Sequence, residues 1–121
     1  MSKDGIAADN YKLEVKTPTE ARKGQPAVVR VHVEGTNGYF VNIDYPMSLA
    51  ITPPAGVTVT KAQQFHRDAV MLKPSGMDFD ITFTSADAGK KVFTGNFKFA
   101  VATTKDATLV TTKIEFSVDV K

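Results

Sequence analysis

Two histidines and four methionines are the soft metal-ligating side chains of this 121-residue chain, which has no cysteine. His66 stands in "QFHRDAVMLKPSGM" with Met71 and Met77 downstream. Imidazole and thioether ligands suit copper, above all Cu(I), so His66, Met71 and Met77 define one candidate metal site. Their spacing argues against it. Copper motifs crowd Met and His within a few residues, whereas here Met71 fits a core position and Met77 a turn. The principal expectation is therefore no cofactor, with copper as the alternative.

The other chemically capable groups are few. His32 alternates with Arg30 and Glu34 in "AVVRVHVE", the pattern of a histidine on the wetter face of a strand. Asp78 and Asp80 in "DFDITFT" share one face, about 7 Å apart by strand geometry. They would hold calcium only with further oxygens from a neighbouring loop; otherwise they form a solvated face. The absence of cysteine removes thiol catalysis, thiolate metal sites and a disulfide framework. There is no Gly-rich phosphate loop, HExxH pair or nucleophile elbow. No catalytic residue is expected, and no enzyme.

The elements that must position these groups follow period two. "YKLEVK" puts Leu13 and Val15 on one face; "AVVRVHVE" puts Val29, Val31 and Val33 on one face and Val28, Arg30, His32 and Glu34 on the other. "MSLAIT" aligns Met47, Leu49 and Ile51 before "PPAG" breaks the strand. Phe79, Ile81 and Phe83 alternate with Asp78, Asp80, Thr82 and Thr84. "VFTGNFKFAV" carries Phe93, Phe97, Phe99 and Val101 in phase, with Gly95 leaving space or marking a bulge. "TTKIEFSVDV" aligns Ile114, Phe116, Val118 and Val120. One core of Phe79, Ile81, Phe83, Phe97, Phe99, Ile114, Phe116 and Val118 is expected. The segment "TKAQQFHRDAVML", residues 60–72, stays open between a helical turn, a strand with a long loop, and both together.

Seven or eight short strands in about 110 residues imply an all-β fold, an immunoglobulin-like two-sheet β-sandwich, with a closed barrel as the alternative. The length suits one domain, residues 11–121, preceded by a frayed tail over residues 1–10. Lys and Arg number 15 against 13 Asp and Glu. Neither half of the chain is a basic arm, which argues against nucleic-acid binding. No stretch reaches the roughly 18 apolar residues that span a bilayer, and "MSKDGIAADNYK" lacks the apolar core of a secretion signal. A lipid anchor on a precursor stays open.

Two segments could meet a partner. "GTNGYFVNIDYP" is a Gly- and Asn-rich loop with Tyr39, Phe40 and Tyr45, which either serve recognition or tuck under the sandwich edge as core. "KFAVATTKDATLVTTKIEF" reads as two strands joined by the polar turn Thr103, Thr104, Lys105 and Asp106, with Ala102 and Thr108 at its root.

With "GYFVNIDYP" leading into "MSLAITPPAGVTV", an Asp-Phe strand ending in "ADAGKK", and "GNFKFAV" before a final strand pair, the chain resembles the N-terminal periplasmic domains of DsbD-type thiol-disulfide interchange proteins over about residues 11–120. The resemblance implies an immunoglobulin-like fold and a periplasmic or outer-envelope location, against a cytoplasmic alternative. It also implies a redox cysteine pair at this hairpin, whose positions here are Ala102 and Thr108. Thiol exchange needs a thiolate, so the family's redox activity is absent from this cysteine-free form, natural or engineered. If the correspondence holds, Ala102 and Thr108 should face each other across neighbouring strands at disulfide separation. The expected function is a non-enzymatic cell-envelope module that binds a protein partner through Tyr39, Phe40, Tyr45 and residues 103–106.

Overall fold

In the computed structural model the described residues are 5–7 and 10–121. They form eleven strands: β1 (Gly5–Ala7), β2 (Tyr11–Lys16), β3 (Pro26–Gly35), β4 (Phe40–Val41), β5 (Ser48–Thr52), β6 (Val57–Val59), β7 (Gln63–Phe65), β8 (Met71–Lys73), β9 (Gly76–Ser85), β10 (Gly89–Ala102) and β11 (Ala107–Val120). The count exceeds the expected seven or eight because several strands have only two or three residues, too short for alternation to show. The expected frayed tail lies partly outside the described residues. Within it, Gly5–Ala7 corrects the expectation by pairing antiparallel with residues 12–14 of β2.

Two antiparallel sheets result. The first runs β1-β2-β3-β9-β6, with β8 also on β9; the second runs β11-β10-β5-β7, with β4 also on β10. Each long strand turns its in-phase apolar residues inward. Phe79, Ile81, Phe83, Phe97, Phe99, Ile114, Phe116 and Val118 are all buried in one core, as the alternation predicts. The aromatic contacts cross between sheets: Phe79 meets Phe97 edge-on at 5.4 Å, Phe83 meets Phe93 at 5.0 Å, and Tyr11 meets Phe99 at 5.2 Å. Such pairs contribute about 0.5–1.5 kcal/mol beyond the area they bury.

Gly95 marks space, not a bulge. The register runs unbroken through it to Ile51 on one side and Ile114 on the other. A Cβ there would stand 2.5 Å from the Ala50 carbonyl oxygen and 2.9 Å from Ile51 Cδ1, so the close approach of β5 and β10 requires glycine.

The open segment, residues 60–72, combines a helical turn with strand, the third of the alternatives left open. After β6 the chain leaves the first sheet and places β7 on β5 of the second. It then makes a single 3-10 turn, His66–Asp68, and returns as β8 on β9. The turn is held by Asp68, whose carboxylate accepts the Phe65 N–H at 2.8 Å and pairs with Lys61. The Lys61 hydrogen bond, then that of the Phe65 amide, lowers the Asp68 pKa.

Candidate functional site

The three copper candidates do not converge. Met77 is fully buried on the inward face of β9, while Met71 sits half-exposed on edge strand β8. Met71 is directly opposite Asp78, so it lies on the outer face and Met77 on the inner. His66 is exposed on the 3-10 turn. Both expected places are corrected: Met77 is the core residue, and Met71 stands on the outer face of β8. The turn lies just before Met77, where β8 and β9 close a tight hairpin with Lys73 opposite Gly76.

Asp78 and Asp80 do share an outer face, but each is already engaged by the strand beside it. Arg30 lies opposite Asp80 and His32 opposite Asp78. The Arg30 guanidinium donates to both Asp80 oxygens, at 2.8 and 3.1 Å, and His32 Nδ1 hydrogen-bonds Asp78 Oδ1. Arg30 is raised in pKa, first by the Asp80 hydrogen bond and then by its charge. One strand further, Glu14 lies opposite His32 and Lys16 opposite Arg30. On the outer face of the first sheet Asp78 and Asp80 are therefore each held by a side chain of β3, not left as an open carboxylate pair. Among the described residues, no three His, Asp or Glu side chains group as a metal site.

The hairpin forms where the sequence puts it. Thr103 N donates to... Asp106 O at 2.7 Å, and Thr103 Oγ1 accepts the amides of Lys105 and Asp106. Its register corrects the expected redox geometry. Ala102 is opposite Ala107, and Thr108 is opposite Val101. Residues one step out of register point to opposite faces, so Ala102 lies on the outer face and Thr108 on the inner. They do not face each other as a disulfide pair must.

What the structure does bring together is the aromatic loop and this hairpin. After the Asn37-Gly38 turn, where both residues have positive φ, β4 pairs with the hairpin root: Val41 opposite Val101 and Phe40 opposite Ala102. The loop aromatics divide accordingly. Tyr39 and Tyr45 are half-buried against the core, and Phe40 is exposed on the outer face. Phe40, Ala102 and Ala107 form one cross-strand row, and Ala100 and Leu109 the next. Asn42 N–H donates to the Ala100 carbonyl, bringing Ile43 to the same end. Leu109 is 67% exposed, Phe40 38% and Ile43 36%.

Leu109 and Ile43 were missed by sequence reasoning. Leu109 carries a legible signal, since it is apolar at the parity that holds Thr111, Lys113 and Glu115. Ile43 carries none, because loop residues follow no parity.

The fold and this surface define an immunoglobulin-like β-sandwich. Comparison with known protein families gives no match, and no curated protein matches. Among solved structures, the chain is similar to the GAE domain of GGA2p from Saccharomyces cerevisiae, at 14% identity over 93% of each chain with a TM-score of 0.51. It is also similar to the yeast GGA1 GAE domain, at 10% identity over 92% of this chain and 94% of that one, TM-score 0.48. A conjugative transposon lipoprotein from Bacteroides eggerthii aligns at 11% identity over 88% and 98%, TM-score 0.44. At these identities the likeness is one of fold. Among the described residues no helix is long and apolar enough to cross a membrane.

Proposed function

We propose that this domain is a non-enzymatic protein-binding module that engages its partner through the hairpin end of the second sheet. The carrying observation is the contrast of outer faces. The first sheet's face is a row of charged side chains with Val28 as its exposed apolar residue, and Phe65, Val70 and Val92 are exposed singly on β7, before β8 and toward the Gly89 end of β10. The second sheet's hairpin end instead gathers three, Phe40, Ile43 and Leu109, around a floor of alanines. Exposed aromatic and aliphatic side chains over small residues can be desolvated at little polar cost. The turn from Thr103 to Asp106 supplies a polar rim. An envelope location belongs to the same proposal. Descent from DsbD-type domains remains an expectation from sequence, and the binding proposal does not lean on it.

A photo-reactive residue placed at position 40 or 109 in native cells should give one discrete adduct, and the adduct from position 109 should be lost when Phe40→Asp is introduced into the same chain. The same residue at Lys90, at the far end of β10, should give none. Adducts equal at all three positions, or absent at 40 and 109, would overturn the proposal.

A further inference from the structure

The second sheet ends on β11, and among the described residues no strand lies beyond it. Among the described residues its end is covered: Lys23 N donates to Lys121 O, and Lys121 N to Ala21 O. The direction of the remaining backbone groups follows from the hairpin. Thr103 N bonds to Asp106 O across the turn, and hydrogen-bonded and non-bonded pairs alternate along an antiparallel ladder. Even-numbered residues of β11 therefore bond to β10. The N–H and C=O groups of Ala107, Leu109, Thr111, Lys113 and Glu115 point outward, the same parity as Lys121.

Such an edge is a template for another strand unless it is blunted. The only full charges in the middle of β11 are Lys113 and Glu115. Both are exposed, neither has an ion pair among the described residues, and their β10 neighbours are the neutral Asn96 and Thr94. Ile114 lies between them on the inner face, buried.

We propose that β11 pairs antiparallel with β11 of a second copy of this chain, about a twofold axis through Ile114. In that register Lys113 lies opposite Glu115 of the second copy, and Glu115 opposite its Lys113, on the same outer face. The outward-pointing odd residues meet one another, as hydrogen-bonded pairs require. An isologous contact needs a surface complementary to itself, and a Lys-x-Glu pair flanking the axis on a bare edge meets that condition. A register shifted by two residues in either direction sets Lys113 opposite its own copy or Glu115 opposite its own, so the charges select this register. Dimerisation would join the two second sheets into one and set Leu109 of the proposed binding patch opposite Asp119 of the second copy, while Phe40 stays two strands from the axis, so Phe40 is the residue that separates this inference from the proposed binding site.

Sedimentation equilibrium of the purified chain tests it. A monomer–dimer equilibrium is expected, weakened by salt. Lys113→Glu should weaken the dimer on the order of tenfold or more, since it places like charges opposite each other twice. The double variant Lys113→Glu/Glu115→Lys should restore it. Thr111→Pro, which removes an outward N–H and leaves the β10 ladder intact, should give a folded monomer, while Phe40→Asp should leave the dimer unchanged. A wild-type chain monomeric up to about 1 mM, a dimer indifferent to Lys113→Glu, or a double variant no better than the single one would overturn the proposal. Loss of the dimer in Phe40→Asp alone would overturn it too, moving self-association to the hairpin patch.

Discussion

The two sheets treat their edges in opposite ways. In the first, β9 has β3 along one side but only the short β6 and β8 along the other, so residues near Asp80 have no strand beside them. That gap is filled by single bonds. Thr60 N donates to Thr82 O, Gln64 Nε2 to Asp80 O at 2.8 Å, and Val70 N to Asp78 O. Gln64 reaches across from the other sheet and is only 4% exposed. In the second sheet, β11 runs fourteen residues, and among the described residues no strand lies along its outer side, its end being covered by Ala21 and Lys23. A backbone carbonyl under a crossing segment cannot reach water and needs a partner; one on an open edge has water already. The first edge is thus closed for stability, and the second is left available for association.

The largest test of this contrast removes what both edges share. Phe97→Ala, at the centre of the cross-sheet contacts, should cost about 3–5 kcal/mol in chemical denaturation. Hydrogen exchange should then rise alike at both edges. Selective loss at one edge would show that the sheets are stabilised separately.

Gln64→Leu acts on the closed edge alone. It keeps an apolar body in the core but strands the Asp80 carbonyl, at an expected cost of about 1–3 kcal/mol. Faster exchange at the Thr60 and Val70 amides should accompany it. An unchanged midpoint would mean the gap does not depend on this side chain.

On the open edge the effects should be smaller and should depend on parity. Thr111→Pro should cost less than about 1 kcal/mol. Thr112→Pro, one position on, removes a donor to β10 and should cost several times more. Equal costs would break the assignment of outward and inward groups.

The smallest effect expected is a pH dependence in the crossing segment. The pKa of Asp68 is held in the folded chain below its ordinary value, by the Lys61 hydrogen bond first and the Phe65 amide second. Its contribution is therefore complete above that value and is lost as pH falls below it, through the folded pKa. The Phe65 amide resonance should shift with that titration, and Asp68→Asn should abolish the shift. A Phe65 amide indifferent to acid would detach the turn from its carboxylate.

Alternation was enough to identify an all-β fold and its core residues, with a closed barrel still open beside the sandwich, because on a strand the side-chain period is two and burial of one face leaves a direct imprint on composition. Phe79, Phe97, Phe116 and their in-phase neighbours were legible for that reason. The same imprint made Arg30, His32, Asp78 and Asp80 legible as an outer face, and an apolar Leu109 at a polar parity was there to be read. What parity cannot carry is relative register between strands. The offset that separates Ala102 from Thr108, the pairing of Arg30 with Asp80, and the meeting of Phe40 with Ala102 each depend on how one strand slides against another, and a shift of one residue reverses every face. Residues 60–72 were illegible for a related reason. They cross between sheets, so their partners are set by where two separate edges come to rest, and the burial of Gln64 expresses a missing strand in β9's neighbourhood that no local pattern contains.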